Sequence, residues 1–216
     1  MLESPRRLVI WRHGRTPWNL EHRFQGQTDV ALDAVGVRQA EAAAGLLMAL
    51  RPQSIVSSDL SRARDTASAL AQRCGLDVAT DPRLRETDGG AWEGRRREEL
   101  LVEDPQAYRA WLAGEHVRPG GDGEDRTQVG ERVMAAIDDA LARTDPGRTV
   151  VVVTHGGAAR AVLAPLLNRP FDQLRFFAVM RNAAWSAFLE TGDVGTPWSV
   201  LEYNARSLPE PAEADD

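Results

Sequence analysis

Two histidines of the sequence come directly after short apolar runs. The run LVIW continues into Arg12 and His13, and the run TVVVVT is followed by His155 and Gly156. Short runs with many β-branched or aromatic residues are typical of strands buried on both faces. Because ligands of open α/β sheets bind at the carboxyl ends of the strands, both histidines are predicted to lie where chemistry takes place.

Charged side chains also follow two further predicted strands. After QSIVSSD at 53–59, Arg62 falls in the first turn of a helix, where an anion is attracted and an arginine strengthens the attraction. After LDVAT at 76–80, Glu86 lies just past another strand end. The side chains predicted to meet in one crevice are His13, Arg62, Glu86 and His155.

This combination of side chains suits phosphoryl transfer. Arg12 and Arg62 can bind the oxygens of a phosphate through paired hydrogen bonds. A neutral imidazole can attack phosphorus. A carboxyl group can protonate the leaving oxygen and then take a proton from water. Since uncatalysed hydrolysis of phosphate monoesters is extremely slow, a cluster of cations that stabilises the developing charge is suited to the task.

Composition excludes several other classes of protein. The 216 residues, 43% of them hydrophobic, suit one globular domain, and the single cysteine, Cys74, fits a reducing compartment. A net charge of -6 without a long basic run argues against a nucleic-acid partner. The N-terminus has only four consecutive apolar residues, which predicts neither a signal peptide nor a membrane span. We therefore expect a cytoplasmic protein without a membrane or nucleic-acid partner.

All 26 basic residues are arginine, because the sequence contains no lysine. This excludes Schiff-base chemistry through a lysine and the phosphate-binding GK[ST] loop. It also means that any single arginine is a weak functional signal. The four histidines lack the close spacing of a helical zinc site, so no metal is predicted, and His22 and His116 are expected at the surface.

The alternation of strand and helix patterns predicts a three-layer α/β/α fold with a mostly parallel central sheet. The predicted strands lie at 8–11, within 53–59, and at 76–80, 149–154, 176–180, 184–190 and 198–203. The predicted helices are 34–50, one capped by Asp59 or Ser61, 131–143 and about 158–167. The buried faces of the first two helices are expected to carry Val37, Ala40, Ala44, Leu47 and Cys74.

The segment from about 89 to 130 is rich in glycine and charge, which predicts a helical and loop insertion over the site. Residues 95–97, RRR, are interpreted as a solvated helix start. The aromatic side chains expected to pack beneath the insertion are Trp92, Tyr108 and Trp111. The tail at 208–216 is acidic and contains proline, so we expect it to be disordered and the single domain to span 1–207.

The sequence resembles the histidine phosphatase superfamily, also called phosphoglycerate mutase-like, branch 1. The resemblance rests on motifs that run in family order from residue 7 to about 168: RHGRTPWN, RFQGQTDVALDAVGVRQA, IVSSDLSRARDTA, LRETDGGAWEG and VVVVTHGG. It implies the phosphoglycerate mutase-like fold and a small phosphorylated metabolite as substrate. It also implies chemistry without a metal or other cofactor, and it is compatible with a homodimer.

The resemblance implies a role for each candidate residue. His13 would be the nucleophile that becomes phosphohistidine, and Glu86 would be the proton donor and later the base. The residues that would hold the transferring phosphoryl group are Arg12, Arg62, His155 and Asn19. The residues that would line the pocket are Gln25, Gly26 and Gly156.

Three departures from the family pattern bear on the reaction. Gly157 stands where cofactor-dependent mutases usually have asparagine, and the middle segment is shorter than theirs, which favours a phosphatase. Gly89 replaces a bulky apolar residue, which predicts a looser loop after Glu86. The hypotheses are a metal-independent phosphomonoester hydrolase, a cofactor-dependent phosphoglycerate mutase, and a non-catalytic module that binds phosphate esters.

Overall fold

A computed structural model describes residues 4–207, so the predicted disordered tail at 208–216 lies outside the described residues. Six strands form one sheet between two layers of helices. The strands are β1 (Arg7–Arg12), β2 (Pro52–Ser57), β3 (Val78–Thr80), β4 (Thr149–Thr154), β5 (Trp185–Glu190) and β6 (Trp198–Ala205).

The strand order is β3-β2-β4-β1-β5-β6. The first four strands in this order are mutually parallel, and β5 and β6 are antiparallel to their neighbours, which confirms the mostly parallel sheet. Ile10 of β1 pairs with Val152 of β4 on one side and with Ser186 of β5 on the other. As a result, β1, β2 and β4 end at the same edge of the sheet.

The two central strands are apolar on both faces, as expected for strands covered by helices on each side. Leu8 and Ile10 face one core and Val9 and Trp11 face the other, and all six residues of β4 are buried. This alternation fixes the register, since a shift of one residue would exchange the two faces.

The described residues contain eight α-helices. They are α1 (Pro17–Leu20), α2 (Ala34–Leu47), α3 (Ser61–Cys74), α4 (Arg97–Glu103), α5 (Pro105–Leu112), α6 (Arg126–Ala142), α7 (Gly156–Ala161) and α8 (Leu163–Leu166). Helices α2 and α3 cover one face of the sheet, and α6, α7 and α8 cover the other. Short 3-10 helices lie at Met48–Leu50, Pro82–Leu84, Gly90–Trp92 and Phe171–Leu174. No helix between residues 4 and 207 has the length and apolar character needed to cross a bilayer.

The strand predicted at 176–180 is wrong. These residues form neither strand nor helix and lie between the last 3-10 helix and β5. Two of their carbonyls bind side chains instead of a neighbouring strand: the Ala178 carbonyl accepts from the Tyr203 hydroxyl, and the Met180 carbonyl accepts from the Arg12 guanidinium. The position beside β1 is taken by β5.

Two details of the predicted helices are also wrong. Val37 is 44% exposed, because the buried face of α2 is rotated and contains Gly36 in its place. A Cβ on Gly36 would lie 2.0 Å from the Arg15 carbonyl oxygen, so only glycine fits there. The residue before α3 is Leu60, which provides no side-chain cap. Asp59 pairs with the Arg85 guanidinium instead, at 2.6 Å.

The insertion contains α4, α5 and the start of α6. The predicted packing beneath it is confirmed, because Trp92 and Tyr108 are buried in a small separate core with Leu100, and Phe24 and Trp111 pack against this core. Residues 95–97 are exposed, as predicted for a solvated helix start.

Replacing Leu47 by alanine tests the observed face of α2. Leu47 is 1% exposed at the centre of one core, so Leu47→Ala is expected to lower the free energy of unfolding by about 2–5 kcal/mol. The matched control is Val37→Ala on the same helix, which is expected to change the free energy by less than about 0.5 kcal/mol. Urea unfolding of both variants measures the difference, and equal losses would contradict the rotated buried face.

Candidate active site

A cavity of about 260 Å³ opens where β1 and β4 end. Its lining brings together eight of the nine residues that the sequence predicts for the site: Arg12, His13, Asn19, Gln25, Gly26, Arg62, Glu86 and Gly156. The ninth, His155, does not line the cavity. It is fully buried directly behind it, with its ring centroid 5.1 Å from that of His13.

The backbone around His13 is held from three directions. The His13 N–H donates to the Thr154 carbonyl at 3.0 Å, which continues the pairing of β1 with β4. The Ala183 N–H donates to the His13 carbonyl at 3.0 Å. The Gly14 N–H donates to the Thr66 hydroxyl of α3 at 3.0 Å. These bonds fix the position of the imidazole at the sheet edge.

One hydrogen bond fixes the tautomer of His13. Its Nδ1 lies 2.7 Å from the Gly14 carbonyl oxygen, which can only accept, so Nδ1 carries the proton and Nε2 carries the lone pair. Burial lowers the pKa of His13 well below 6.5, and the positive charges of Arg62 and Arg12 lower it further. The side chain is therefore a neutral imidazole at neutral pH, the form that can act as a nucleophile.

Arg62 is fully buried beside this imidazole. Its guanidinium donates to the Gly26 and Thr28 carbonyls, both at 2.8 Å, and to Nδ1 of His155 at 3.2 Å. Burial lowers the pKa of Arg62 to about 10, so the group is still charged at neutral pH. Since all three acceptors are uncharged, its charge makes the cavity attractive to an anion.

The same contact orients His155. Because Nδ1 accepts from Arg62, Nε2 carries the proton and donates to the Ser58 hydroxyl oxygen at 2.9 Å. Burial, followed by the nearby charge of Arg62, lowers the pKa of His155 well below 6.5. His155 is thus neutral and accepts a hydrogen bond from the guanidinium of Arg62.

Glu86 reaches the cavity from the segment that follows β3. Its carboxylate accepts the backbone N–H groups of Gly157 and Ala158, each at 2.9 Å, in the first turn of α7. It also accepts the N–H of Thr87 at 2.8 Å. A Cβ on Gly157 would lie 2.5 Å from this carboxylate, so glycine is needed there for the observed position of Glu86.

Two amide side chains present donors to the cavity. The side-chain oxygen of Asn19 accepts from the Thr16 N–H at 3.0 Å, and that of Gln25 accepts from the Thr16 hydroxyl at 2.9 Å. Among the described residues, the side-chain NH2 groups of Asn19 and Gln25 donate no hydrogen bond. Both groups can therefore donate to a ligand, as a phosphate requires.

Arg132 is important for the position of Glu86, although the sequence did not point to it. Its guanidinium pairs with Glu124 at 2.7 Å and donates to the carbonyls of Arg83, Arg85 and Glu86 at 2.7–2.8 Å. In a chain whose basic residues are all arginine, this position has no distinguishing signal. The clamp holds the backbone from which the Glu86 side chain extends.

Asn182 was also missed. Its side-chain amide donates to the carbonyls of His13 and Gly14 at 3.3 Å and to the Asn19 oxygen at 3.1 Å. The motif NAAW was available as a signal, but its distance from His13 along the chain concealed the contact.

The looser loop expected at Gly89 is not observed. A Cβ at this position would lie 2.6 Å from the Phe24 ring, so the aromatic side chain fills the space. The Gly89 N–H also donates to Glu93 at 3.0 Å. His22 and His116 are exposed, as predicted. Within residues 4–207, no group of three or more histidine, cysteine, aspartate or glutamate side chains is arranged to hold a metal ion.

A known family of proteins matches almost the whole of the described sequence. The sequence model of the histidine phosphatase superfamily (branch 1) matches residues 8–205, so the chain belongs to this superfamily. The predicted fold and the predicted class of enzyme, a phosphatase of the histidine phosphatase type, are thereby confirmed.

Particular relatives are also similar over most of their length. The chain is 43% identical over 186 residues to glucosyl-3-phosphoglycerate phosphatase from Mycolicibacterium vanbaalenii, covering 83% of this chain and 82% of the relative. A solved structure of mycobacterial glucosyl-3-phosphoglycerate phosphatase with VO3 is 39% identical, with a TM-score of 0.85 and coverage of 93% and 99%. A probable phosphoglycerate mutase from Yersinia pestis is 38% identical over 208 residues, covering 96% and 94%.

Gly157→Ala tests whether the space beside Glu86 matters. Because the added methyl group meets the end of a flexible side chain, we expect the carboxylate to move while the fold is kept. Turnover should fall by about tenfold or more, since general acid–base catalysis contributes about 10²–10⁴-fold.

The matched control for this variant is Gly45→Ala in α2, where a Cβ meets no atom within 4 Å. It should stabilise the protein by about 0.5–1 kcal/mol and leave turnover unchanged. Equal turnover of Gly157→Ala and Gly45→Ala in steady-state assays would contradict the proposed crowding.

The lowered pKa of His13 predicts how stability depends on pH. Below 6.5 the unfolded chain binds a proton at this residue that the folded chain does not bind, so the free energy of unfolding falls as pH falls. In His13→Asn this dependence should be weaker by about 0.7 kcal/mol per pH unit at pH 6.5 and by up to about 1.4 kcal/mol per pH unit near pH 5. Denaturant unfolding in phosphate-free buffers between about pH 5 and 7 measures the dependence.

The control for the pH dependence is His22→Asn, which removes an exposed histidine at a position with φ of 52°, where asparagine is tolerated. In this variant the free energy of unfolding should depend on pH as it does in the unchanged protein. An unaltered dependence in His13→Asn would show that His13 is not held neutral by the fold.

Proposed function

We propose that the chain hydrolyses a phosphomonoester of a small metabolite through a phosphohistidine at His13. The observation that carries this proposal is the neutral His13, with its Nε2 lone pair, in one cavity with the Arg62 guanidinium and the Glu86 carboxyl group. A module that only binds phosphate esters needs the cations but has no use for a neutral nucleophile beside a carboxyl group.

In the first step, Nε2 of His13 attacks phosphorus. The N–P bond forms as the bond from phosphorus to the ester oxygen breaks, and protonated Glu86 gives its proton to that leaving oxygen. Arg12 and Arg62 stabilise the negative charge on the phosphoryl oxygens. Donors on Asn19 and Gln25 orient the group.

In the second step, water attacks the phosphorus of phosphohistidine. The Glu86 carboxylate takes the proton from the water, the N–P bond breaks, and inorganic phosphate leaves with His13 restored. Glu86 is then protonated again, ready for the next ester. His155 acts in this scheme through Arg62, from which it accepts a hydrogen bond, and Gly26 and Gly156 line the cavity wall. Every step uses side chains of this chain.

Glucosyl-3-phosphoglycerate is the substrate that we propose, because relatives named glucosyl-3-phosphoglycerate phosphatase are similar over most of this chain. Phosphoglycerate mutase activity is the second candidate, favoured by the similarity to the probable mutase. Gly157 and the short middle segment support hydrolysis. We also propose a cytoplasmic location, which the single half-buried cysteine fits, whereas a homodimer stays a prediction.

The deciding assay measures phosphate release from glucosyl-3-phosphoglycerate, 3-phosphoglycerate and p-nitrophenyl phosphate in the presence of a chelator. His13→Ala should lose at least about 1,000-fold in turnover, because it removes the nucleophile. His22→Asn, which alters an exposed histidine, should retain turnover. An acid-labile phosphoryl group should be trapped on the unchanged protein and be absent from His13→Ala.

Other outcomes identify the alternatives. Isomerised phosphoglycerate without released phosphate would establish a mutase. Binding of esters with no turnover would indicate a binding module. Near-normal hydrolysis by folded His13→Ala would overturn the proposed mechanism.

A further inference from the structure

A second pair of arginines lines the cavity that contains His13. Arg126 is the first residue of α6, and Arg160 is the fifth residue of α7. The mechanism described above uses neither of them. They belong to elements on one side of the sheet and approach the cavity beside the insertion.

Aromatic rings and carbonyls orient the Arg126 guanidinium. It lies 3.9 Å from the centroid of the Trp111 ring and 5.1 Å from that of Phe171. It also donates to the carbonyls of Glu115, at 2.9 Å, and Trp111. A guanidinium fixed in this way still has further N–H donors and loses little entropy when it binds an anion.

The charges of this pair are not balanced by a neighbouring acid. Within residues 4–207, neither Arg126 nor Arg160 forms an ion pair with a carboxylate, whereas other partly exposed arginines such as Arg83 do. The Nε of Arg160 is buried and has no hydrogen-bond partner among the described residues. Burial lowers the pKa of Arg126 to about 10, and the charges of Arg160 and Arg175 contribute.

The Nε–H of Arg160 is a buried donor, and a buried donor without a hydrogen-bond partner costs free energy unless a ligand supplies an acceptor. Packing alone does not require a charge at Arg160, whose guanidinium lies 5.4 Å from the Phe171 ring centroid and leaves a donor unused. The missing partner is an anion with oxygen acceptors that enters from the cavity.

We propose that Arg126 and Arg160 form a second anion site that binds the carboxylate of the substrate while its phosphate lies at His13. The proposal rests on the proposed function and names the class of substrate, phosphate esters of hydroxy acids. The substrate proposed above belongs to this class, because its glycerate part carries a carboxylate. Planar guanidinium groups match a carboxylate through paired hydrogen bonds.

The test compares two esters that differ at one end only. 3-Phosphoglycerate carries a carboxylate, and glycerol 3-phosphate has a hydroxymethyl group in its place. For Arg160→Leu and for Arg126→Leu, we expect the ratio of kcat/KM between the two esters to fall by about 10- to 100-fold. The change should appear mainly in KM, because the carboxylate takes no part in bond breaking.

Arg109→Leu is the matched control, since Arg109 is an exposed arginine of α5 outside the cavity lining. It should leave the ratio unchanged. Arg160→Leu is the more informative variant, because Arg126 also supports the backbone of the insertion. An unchanged ratio in both cavity variants would overturn the proposal.

Binding measurements separate this proposal from the proposed function. Calorimetry with His13→Ala needs no turnover, and there 3-phosphoglycerate should bind more tightly than glycerol 3-phosphate. Adding Arg160→Leu to this variant should remove most of the preference. Loss of the preference in the double variant supports the second anion site even if no ester is hydrolysed, and equal binding of the two esters to His13→Ala overturns it even if hydrolysis is confirmed.

Discussion

The rest of the site depends on the hydrogen bonds that the buried guanidinium of Arg62 makes. A charged group without exposure to water is unfavourable unless hydrogen bonds replace its hydration. The Gly26 and Thr28 carbonyls and the His155 ring supply them, and they come from segments far apart in the sequence. The guanidinium therefore joins α3, the loop at 26–28 and the end of β4 around one point.

The same charge has two chemical consequences. It makes the cavity attractive to an anion, and it helps to keep His13 neutral by lowering its pKa. Both effects require that no acid neutralises Arg62 by direct contact, because a paired arginine would neither bind the anion strongly nor oppose protonation of the imidazole. Glu86 is held apart from Arg62 by its bonds to Gly157 and Ala158, so the carboxyl group shares the cavity without taking the place of the phosphate.

The parts of this site that follow strands could be predicted from the sequence. His13 and His155 follow apolar runs, and strand ends of a parallel sheet meet at one edge, so topology alone brings them together. Arg132, Asn182, Arg126 and Arg160 could not be predicted, because each acts through a contact that depends on how helices and loops pack. A single arginine gives only a weak signal in a chain without lysine. The wrong prediction of a strand at 176–180 has a similar origin. The segment is rich in apolar residues, but the carbonyls of Ala178 and Met180 bind side chains and not a neighbouring strand.

The two ends of the cavity differ in what positions their side chains. At the end that contains His13 and Glu86, their positions are set largely by hydrogen bonds to backbone groups. At the other end, Arg126 is oriented by Trp111 of the insertion and by Phe171, so its position depends on side chains that substitutions can alter. A fixed reaction centre with a variable distal wall allows one mechanism to serve different esters. Specificity in this protein should therefore change through the insertion and the first turn of α6, while the geometry around His13 stays the same.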